Sequence, residues 1–246
     1  MALLKDRIAV VTGASRGIGY AVAKALAAQG AHIVALARPR SVGALEELDD
    51  DIRAMGGSVT LTPLDLTDYE GIDRLGAALY ERWGKLDILV GNAGLLGSLS
   101  PLGHLAPKEW DEVMAVNVTA NWRLIRSLDP LLRQSDAGRA LFVTSGAAHK
   151  AVPYWGLYAT TKAALEKMVE IYAAECAKTA VRVNLIDPGP IRTGMRAKAF
   201  PGEDPETLAK PADIAPLFLE MLRPDYQENG DMVHFKEWKT RPRQKA

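Results

Sequence analysis

Seven short apolar runs, rich in β-branched residues, alternate along this chain of 246 residues with longer segments whose apolar residues recur every three or four positions. The runs are predicted strands, at residues 8–12, 32–37, 58–64, 86–90, 140–144, 181–186 and, weakly, 231–235. The segments between them are predicted helices, at residues 18–29, 42–55, 68–83, 107–133, 156–178 and 211–222. Because the runs are continuously apolar, both faces of each strand are expected to be covered. We therefore predict an α/β fold with a parallel sheet between two layers of helices.

The composition of the chain excludes several classes of partner. Thirty Lys and Arg residues balance thirty Asp and Glu residues, so the formal net charge of zero supplies no field toward nucleic acid or a membrane surface. The single cysteine, Cys176, excludes an internal disulfide and a multi-cysteine metal cluster, and we predict no metal site. No apolar run approaches the ~18 residues of a membrane span, and the charged first residues do not fit a signal peptide. We expect a cytoplasmic protein that binds a small molecule, without nucleic-acid or membrane partners.

The regular alternation predicts one domain over residues 1–246, and two segments depart from the pattern. Residues 189–210 are rich in Pro and Gly, and we predict that they form a mobile lid over a substrate. Residues 236–246 carry five basic side chains and one acidic side chain. Because the rest of the chain is neutral, we interpret them as a solvated C-terminal tail and not as a nucleic-acid patch.

A glycine-rich loop connects the first predicted strand to the first predicted helix. It reads Thr12-Gly13-Ala14-Ser15-Arg16-Gly17-Ile18-Gly19. Glycines without Cβ atoms let the backbone approach an anion, and the free N–H groups at a helix N-terminus bind phosphate. The spacing G-x-x-x-G-x-G differs from the usual dinucleotide fingerprint G-x-G-x-x-G, so a tight turn with packing glycines is the alternative. We interpret the loop as the phosphate cradle of a nucleotide.

The end of the second predicted strand indicates which nucleotide is bound. An acid there would bind the ribose 2′-hydroxyl of NAD, whereas an arginine would bind the 2′-phosphate of NADP. Arg38 occupies this place, and Arg16 could contact the phosphate from the other side, although both could be surface arginines. After the third strand, Asp65 could accept a hydrogen bond from adenine beside Leu66, or could cap the next helix in competition with Asp68. We predict that NADP(H) is preferred over NAD(H).

A tyrosine and a lysine lie on the face of the helix at residues 156–178 that should be buried. The apolar stripe of this helix extends through Tyr158 and Lys162, which are four positions apart and therefore neighbours. The pKa of the phenol would need to fall from ~10 by roughly 3 units for work at neutral pH, about 4 kcal/mol. An ammonium at ~4 Å with an effective dielectric of ~20 supplies about 4 kcal/mol, although desolvation opposes it.

We therefore predict that Lys162 lowers the pKa of Tyr158 and that the tyrosine is a general acid/base. The alternative is a tyrosine at the core edge beside a snorkelling lysine. Three charged residues of this helix lie off the stripe: Glu166, Lys167 and Glu170.

Two further polar residues occur where packing favours apolar ones. Ser145 follows the fifth predicted strand, and Asn117 shares the inward register of helix 107–133 with apolar residues. Ligands of open α/β sheets bind beyond the carboxyl ends of the strands, where the glycine loop, Ser145 and Asn92-Ala93-Gly94 all fall. We expect these groups to line one crevice.

Together these motifs resemble those of the short-chain dehydrogenase/reductase family, over about residues 5–235. The matching positions, in order and with the spacing of the family, are Thr12-Gly13-x-x-x-Gly17-Ile18-Gly19, Asp65, Asn92-Ala93-Gly94, Asn117, Ser145, Tyr158-x-x-x-Lys162 and Pro188-Gly189-Pro190-Ile191-x-Thr193. The resemblance implies a Rossmann-type doubly wound sheet of seven mostly parallel strands in the order 3-2-1-4-5-6-7. It also implies hydride transfer between a nicotinamide and a carbonyl or alcohol.

The same resemblance assigns roles to individual residues. Tyr158 would exchange the proton, and Ser145 would hold the substrate oxygen. Lys162 would bind the nicotinamide ribose, and Asn117 would anchor a water relay. The cofactor site would consist of Gly13, Ser15, Arg16, Gly17, Ile18, Gly19, Arg38, Asp65, Leu66, Asn92, Ala93, Gly94, Tyr158, Lys162, Pro188, Gly189, Ile191 and Thr193. In the family the long helices 107–133 and 156–178 pair between subunits, so we expect a homodimer or homotetramer.

Three features depart from the family pattern. Gly91 stands where the family often has asparagine, and the segment after Thr193 is short. The usual closing D-G-G is replaced by Phe235-Lys236-Glu237-Trp238, which weakens the expectation of a tetramer.

Substrate contacts are predicted, with core packing as the alternative, for Leu95, Leu96, Ala147, His149, Tyr154, Trp155 and Met195. This apolar and aromatic set favours a hydrophobic ketone as the substrate. The alternative functions are a 3-oxoacyl-thioester reductase and a cofactor-binding regulatory protein without useful turnover.

Overall fold

The computed structural model of the chain describes residues 2–241. Within these residues seven strands form one parallel sheet in the order β3-β2-β1-β4-β5-β6-β7. The strands are β1 Ile8–Thr12, β2 His32–Ala37, β3 Ser58–Pro63, β4 Ile88–Gly91, β5 Arg139–Val143, β6 Arg182–Asp187 and β7 Met232–His234. The predicted bounds differ from these by at most two residues at either end. The predicted fold class and strand order are confirmed.

The α-helices of the described chain follow the strands in alternation. They are α1 Gly17–Ala28, α2 Val42–Ala54, α3 Tyr69–Trp83, α4 Pro107–Met114, α5 Ala120–Leu132, α6 Gly156–Cys176, α7 Gly194–Ala199, α8 Pro211–Met221 and α9 Phe235–Thr240. Gly84 ends α3 with a φ of 67°, a left-handed conformation that glycine adopts without strain. The helix predicted at residues 68–83 therefore ends at this glycine.

Helices cover both faces of the sheet, because neighbouring residues of a strand point to opposite faces and both sets are apolar. In β1, Val11 lies in the core that α1, α2 and α8 complete, whereas Val10 lies in the core that α3, α5 and α6 complete. Every residue of β1, β4 and β5 is buried. The order of the strands reverses between β1 and β4, and such a reversal opens a crevice at their carboxyl ends.

The segment predicted as one helix at residues 107–133 is interrupted. A π-helical turn, Ala115–Thr119, separates α4 from α5, so the prediction of a continuous helix is wrong there. In this wider turn the backbone hydrogen bonds span five residues instead of four. Asn121 Nδ2 donates a hydrogen bond to the carbonyl oxygen of Asn117 at 2.8 Å. Asn117 itself is fully buried, as its register predicted. A single π turn inside a helix frequently occurs at functional sites.

The predicted lid, residues 189–210, contains more regular structure than its composition indicated. Thr193 Oγ1 accepts a hydrogen bond from Arg196 N at 3.2 Å and so begins helix α7, which the sequence did not predict. Ile191 is buried and forms a parallel bridge with Ala209. Arg196 is held by two hydrogen bonds of 2.6 Å to the carboxylate of Glu203. The mobility of this segment stays a prediction.

The predicted solvated tail begins too early. Its residues 236–240 belong to α9, where Phe235 is buried in the core and Trp238 Nε1 donates to Glu220 Oε2 at 2.8 Å. These two aromatic side chains tie the segment to α8, which is why it folds back. The remainder of the predicted tail, residues 242–246, lies outside the described residues. In the part of the chain that is described, none of the helices combines the length and apolarity needed to cross a membrane.

Candidate active site

The predicted site residues meet at the crevice beside β1 and β4. A Cβ atom on Gly19 would lie 2.4 Å from Gly13 O and 2.5 Å from Asn92 Nδ2, so the glycine loop touches the segment after β4. A Cβ atom on Gly94 would lie 3.7 Å from Lys162 Nζ, which brings the same segment against α6. The predicted convergence of these motifs is therefore present in the structure.

The glycine loop has the form of an anion cradle. Gly13 and Gly17 adopt φ values of 67° and 60°, which side chains with a Cβ rarely tolerate. Arg16 precedes α1, and within the described residues no side chain caps this helix, so its first N–H groups are available for a phosphate. On the far side, Thr193 Cγ2 would be 3.4 Å from a Cβ atom on Gly17, which places the Pro188–Thr193 segment against the loop. These features fit a dinucleotide held between the two segments.

Thr12 connects the glycine loop to the segment after β4, a role that no pattern in the sequence indicated. Its Oγ1 accepts hydrogen bonds from Asn92 N at 2.9 Å and Ala93 N at 3.0 Å. Asn92 Nδ2 in turn donates to Thr12 O at 2.9 Å. The amide of Asn92 therefore fixes the shape of the crevice through the backbone of β1.

The departure from the family pattern at Gly91 has a steric cause. A Cβ atom there would lie 2.3 Å from Cδ1 of Phe142 and 2.9 Å from Oδ1 of Asn121. Phe142 is fully buried on the neighbouring strand and cannot move aside easily. A side chain at residue 91 is therefore excluded by the ring packed next to it.

Besides the crevice at β1 and β4, the structure has a second cavity, of about 370 Å³, beside the end of β2. It is lined by Arg38, Pro39, Arg40, Asp65 and Glu112. It brings together the predicted residues Arg38 and Asp65, and adds Arg40, which sequence reasoning did not assign. Arg16 is exposed in the glycine loop and is not among the lining residues. Two guanidinium groups in one cavity suit a phosphate, because each can form paired hydrogen bonds with it.

The capping alternative for Asp65 is wrong. Asp68 caps α3, since its Oδ1 accepts a hydrogen bond from Gly71 N at 2.8 Å. Asp65 Oδ1 instead accepts from Thr67 N at 3.0 Å and from Thr67 Oγ1 at 2.8 Å. Leu66 between them is buried. Asp65 thus lines the same cavity as Arg38.

Tyr158 and Lys162 lie together on the buried face of α6, as predicted. Lys162 is 3% exposed, and its Nζ lies 5.7 Å from the centre of the Tyr158 ring. The same Nζ donates a hydrogen bond to Val143 O at 2.8 Å, which binds α6 to the end of β5. The ammonium therefore has a backbone partner and also faces the phenol.

The predicted lowering of the Tyr158 pKa is wrong. Burial raises the pKa of Tyr158 to about 12, with the Ser145 hydroxyl acting to lower it and the charge of Asp187 acting to raise it. Burial lowers the pKa of Lys162 to about 8, opposed by the charge of Glu166. The loss of hydration is the largest of these effects on the tyrosine. Tyr158 is a neutral phenol, a form that can donate a proton.

Asn117 joins the crevice to α6. Its Oδ1 accepts from Leu95 N at 2.8 Å, and its Nδ2 donates to Leu95 O at 2.8 Å and to Thr161 Oγ1 at 2.9 Å. Thr161 Oγ1 donates to the carbonyl oxygen of Tyr158 at 2.8 Å. The polar atoms of Asn117 are therefore used to hold the Leu95 loop next to the helix that carries Tyr158.

Ser145 extends from the end of β5 and caps the short turn that follows. Its backbone is extended, and its Oγ accepts a hydrogen bond from Ala147 N at 3.2 Å. Glu166, which the helical stripe placed away from the core, is 5% exposed and contacts this turn. Thr144 Oγ1 donates to Glu166 Oε1, and His149 Nε2 lies 3.1 Å from Glu166 Oε2. The sequence did not indicate this carboxylate, because no local pattern shows what packs above a helix.

Aromatic side chains extend from Tyr158 toward the predicted lid. Trp155 contacts Tyr158 edge-on at 6.2 Å between ring centres, and the Phe200 ring lies 5.6 Å from Trp155. The guanidinium of Arg196 lies 3.7 Å from the centre of the Phe200 ring. Trp155 was among the predicted substrate contacts, whereas Phe200 was missed because it belongs to the irregular segment. Leu96, by contrast, is buried.

A doubly wound parallel sheet with a glycine cradle is typical of nucleotide-binding oxidoreductases. The Ser145, Tyr158 and Lys162 cluster lies at the same crevice. A family model described as "short chain dehydrogenase" matches residues 7–204. The chain belongs to the short-chain dehydrogenase/reductase family and is an oxidoreductase of that family.

Individual relatives agree with this membership. The uncharacterized oxidoreductase YciK of Escherichia coli K12 is 39% identical over 234 residues, covering 94% of this chain and 92% of its own. An uncharacterized NAD-dependent oxidoreductase of Mycobacterium tuberculosis is 37% identical over 204 residues, covering 78% of this chain and 74% of its own. The crystal structure of a short chain dehydrogenase from Shigella flexneri, complexed with NADP, is similar with a TM-score of 0.90 and 38% identity. The likeness covers 95% of this chain and 98% of that one.

Proposed function

We propose that the protein transfers a hydride between NADP(H) and a carbonyl or secondary alcohol, with Tyr158 as the general acid/base. The observation that carries the proposal is the meeting of Ser145, Tyr158 and Lys162 at the crevice into which the glycine cradle opens. The side chains packed around Tyr158 exclude most water from it, since it is 7% exposed. A buried acid next to a nucleotide cradle suits proton transfer coupled to hydride transfer.

Each residue would have a separate task in reduction. NADPH, when bound, supplies the hydride that adds to the carbonyl carbon. Ser145 Oγ donates a hydrogen bond that orients the substrate oxygen, and Tyr158 Oη delivers the proton that this oxygen takes up. The raised pKa of Tyr158, about 12, keeps the proton on the phenol at neutral pH until the oxygen becomes basic. Lys162 would bind the nicotinamide ribose, and its ammonium stabilises the tyrosinate that remains.

The preference for NADP(H) over NAD(H) is supported by the second cavity. Arg38 and Arg40 supply two cations where the 2′-phosphate would lie, and Asp65 at the same cavity is suited to the adenine amino group. The Shigella flexneri relative was crystallised with NADP, whereas the Mycobacterium tuberculosis relative is named as NAD-dependent. The arginine pair is the reason to place this chain with the former.

The substrate is proposed to be a hydrophobic ketone or the corresponding alcohol. Trp155 and Phe200 form an aromatic wall that begins at Tyr158, and apolar side chains suit an apolar substrate. The proposal is tested by measuring NADPH oxidation with a panel of aromatic, cyclic and linear ketones, and with short 3-oxoacyl thioesters. Turnover of the ketones supports it. Turnover of thioesters alone, or NADPH binding without turnover of any compound, contradicts it.

We further propose a homodimer or homotetramer formed through α5 and α6. Trp122 on α5 is 47% exposed and Ile171 on α6 is 53% exposed, and large apolar side chains on the helices concerned suit a contact between subunits. A monomer in light scattering contradicts this expectation. The cytoplasm stays the proposed location, since the single cysteine, Cys176, is a buried free thiol.

A further inference from the structure

Glu166 holds both sides of the segment that carries Ser145. Thr144, the residue before the serine, donates its hydroxyl to Glu166 Oε1. His149, which ends the turn after the serine, places Nε2 3.1 Å from Glu166 Oε2. Both oxygens of one carboxylate are thus used on either side of a single catalytic position. A shift of the helix relative to the serine turn would break two contacts at once.

Glu166 also lies one helical turn after Lys162, so the two side chains share a face of α6. Both are almost fully buried, and Lys162 Nζ donates to Val143 O next to Thr144. A buried carboxylate is costly unless it is paired and hydrogen-bonded. If residue 166 only filled space, a neutral side chain would do so at a lower cost. The carboxylate here accepts from Thr144, meets His149 and balances the charge of Lys162. Through Thr144 the carboxylate is linked to Ser145, and Lys162 is itself a group of the proposed reaction.

We propose that Glu166 is a positioning residue for the proposed reaction, which fixes the Ser145 turn against the face of α6 that carries Lys162 and Tyr158. The inference rests on the proposed function. It adds a residue that neither touches the substrate nor holds the cofactor. Its effect passes through Thr144 to the serine and through the electric field to the lysine.

Other titratable groups around this pair come from several elements. On α6 they are Tyr158 and the exposed Lys167–Glu170 ion pair; on the turn after β5, His149 and the exposed Lys150; at the end of β6, Asp187, which pairs with His234. On α4 they are Lys108, Asp111 and Glu112, which are exposed, and Glu109, which accepts from Ser98. The π-helical turn Ala115–Thr119 contains no titratable residue. Glu166 is the carboxylate whose charge raises the pKa of Lys162 against its burial.

The first experiment measures the charge effect without any cofactor. The side-chain NMR resonance of Lys162 is titrated with pH in the cofactor-free protein and in E166Q, and is assigned by its loss in K162M. Glutamine keeps an oxygen for Thr144 but removes the negative charge. We expect the Lys162 midpoint to fall by about one pH unit, the size of shift that an opposite charge at contact range produces. The matched control is E170Q, which alters an exposed glutamate on the same helix and should leave the midpoint unchanged.

The second experiment follows the reaction. The alkaline limb of kcat/KM for ketone reduction should move to lower pH in E166Q by the same amount, and stay in place in E170Q. A residue that only stabilises the fold would lower the melting temperature without moving this limb. T144V removes the hydroxyl next to Ser145 and should reduce kcat about tenfold with NADPH affinity retained, whereas T144S should restore kcat.

The outcomes separate this inference from the proposed function. An unchanged Lys162 midpoint in folded E166Q, or wild-type kcat in T144V, overturns the positioning role. If E166Q does not fold, the T144V and T144S pair decides the question. If the wild-type protein reduces no ketone, the proposed function fails, while the NMR titration still shows whether Glu166 sets the charge of Lys162.

Discussion

Replacing Arg38 with aspartate tests how the second cavity selects the nucleotide. Arg38 and Arg40 both line this cavity, so R38D removes one of two cations and adds a carboxylate. A charge-assisted hydrogen bond contributes about 1.5–3 kcal/mol, and the open cavity favours the lower figure because solvent screens the charge. A new hydrogen bond from the 2′-hydroxyl of NADH to the carboxylate adds about 1 kcal/mol in the other direction. The combined change of about 2.5 kcal/mol is close to 100-fold in selectivity.

The assay compares kcat/KM for NADPH and NADH, with one ketone at a fixed concentration. We expect the NADPH to NADH ratio to fall about 100-fold in R38D. R53A is the control, since Arg53 is an exposed arginine on α2 that pairs with Asp49. A ratio in R38D that equals the wild-type ratio would refute the assignment of Arg38 to the 2′-phosphate. A loss of activity with both nucleotides would instead indicate damage to the fold, which circular dichroism detects.

Three further substitutions follow from the packing and the charges. G91N should destabilise the fold by about 2 kcal/mol in urea unfolding, because its Cβ meets Phe142. Adding F142L to G91N should relieve part of this loss, and additive losses of unfolding free energy in the double variant would contradict the steric clash. D87N should lower the free energy of unfolding by about 2 kcal/mol at pH 7, and by a smaller amount as the pH falls below about 4. Equal losses of unfolding free energy at pH 7 and pH 3 would contradict this prediction. K162M should abolish turnover, and the stability of the wild type relative to K162M should rise as the pH increases from 7 to 10, because the buried ammonium loses its charge; a difference that does not change with pH would contradict the cost of burying this charge.

The sign of the D87N effect follows from the surroundings of the carboxylate. Burial acts to raise the pKa of Asp87, but hydrogen bonds from Ser135, Ile8 N, Lys85 and Arg7 together hold it below its ordinary value. Because the folded-state pKa lies below that of the unfolded chain, ionised Asp87 stabilises the fold at neutral pH. This contribution is lost as the pH falls through the folded-state pKa. For Lys162 the folded-state pKa of about 8 lies below the unfolded value, so its charge destabilises the fold at neutral pH.

The strands and most helix ends could be predicted because they depend on local patterns, whereas the order of the strands came from the resemblance to the family. Continuous apolar runs mark strands covered on both faces, and Gly84 ends α3 where a left-handed residue is required. The prediction of one continuous helix over residues 107–133 was wrong, because a π turn keeps the same inward register at Asn117. Periodicity records which side a residue faces, and it does not record how many residues the turn contains.

The candidate site was predicted where the spacing of residues determines their contacts. Tyr158 and Lys162 are four positions apart on one helix, so their proximity follows from helical geometry. The prediction that the pKa of Tyr158 is lowered was wrong, because the loss of hydration in the folded state cannot be derived from spacing. Glu166 and Arg40 were missed for a related reason, since their roles depend on segments distant in sequence that pack against them.

The proposed reaction depends on Tyr158 as the proton donor. The most direct measurement is the rate of ketone reduction by Y158F, together with the affinity of the same variant for NADPH followed by nucleotide fluorescence. We expect NADPH to bind with nearly the wild-type affinity while turnover falls by about 10²–10⁴-fold, the contribution of a general acid. Turnover within a few-fold of the wild-type rate, with the nucleotide bound, would contradict it.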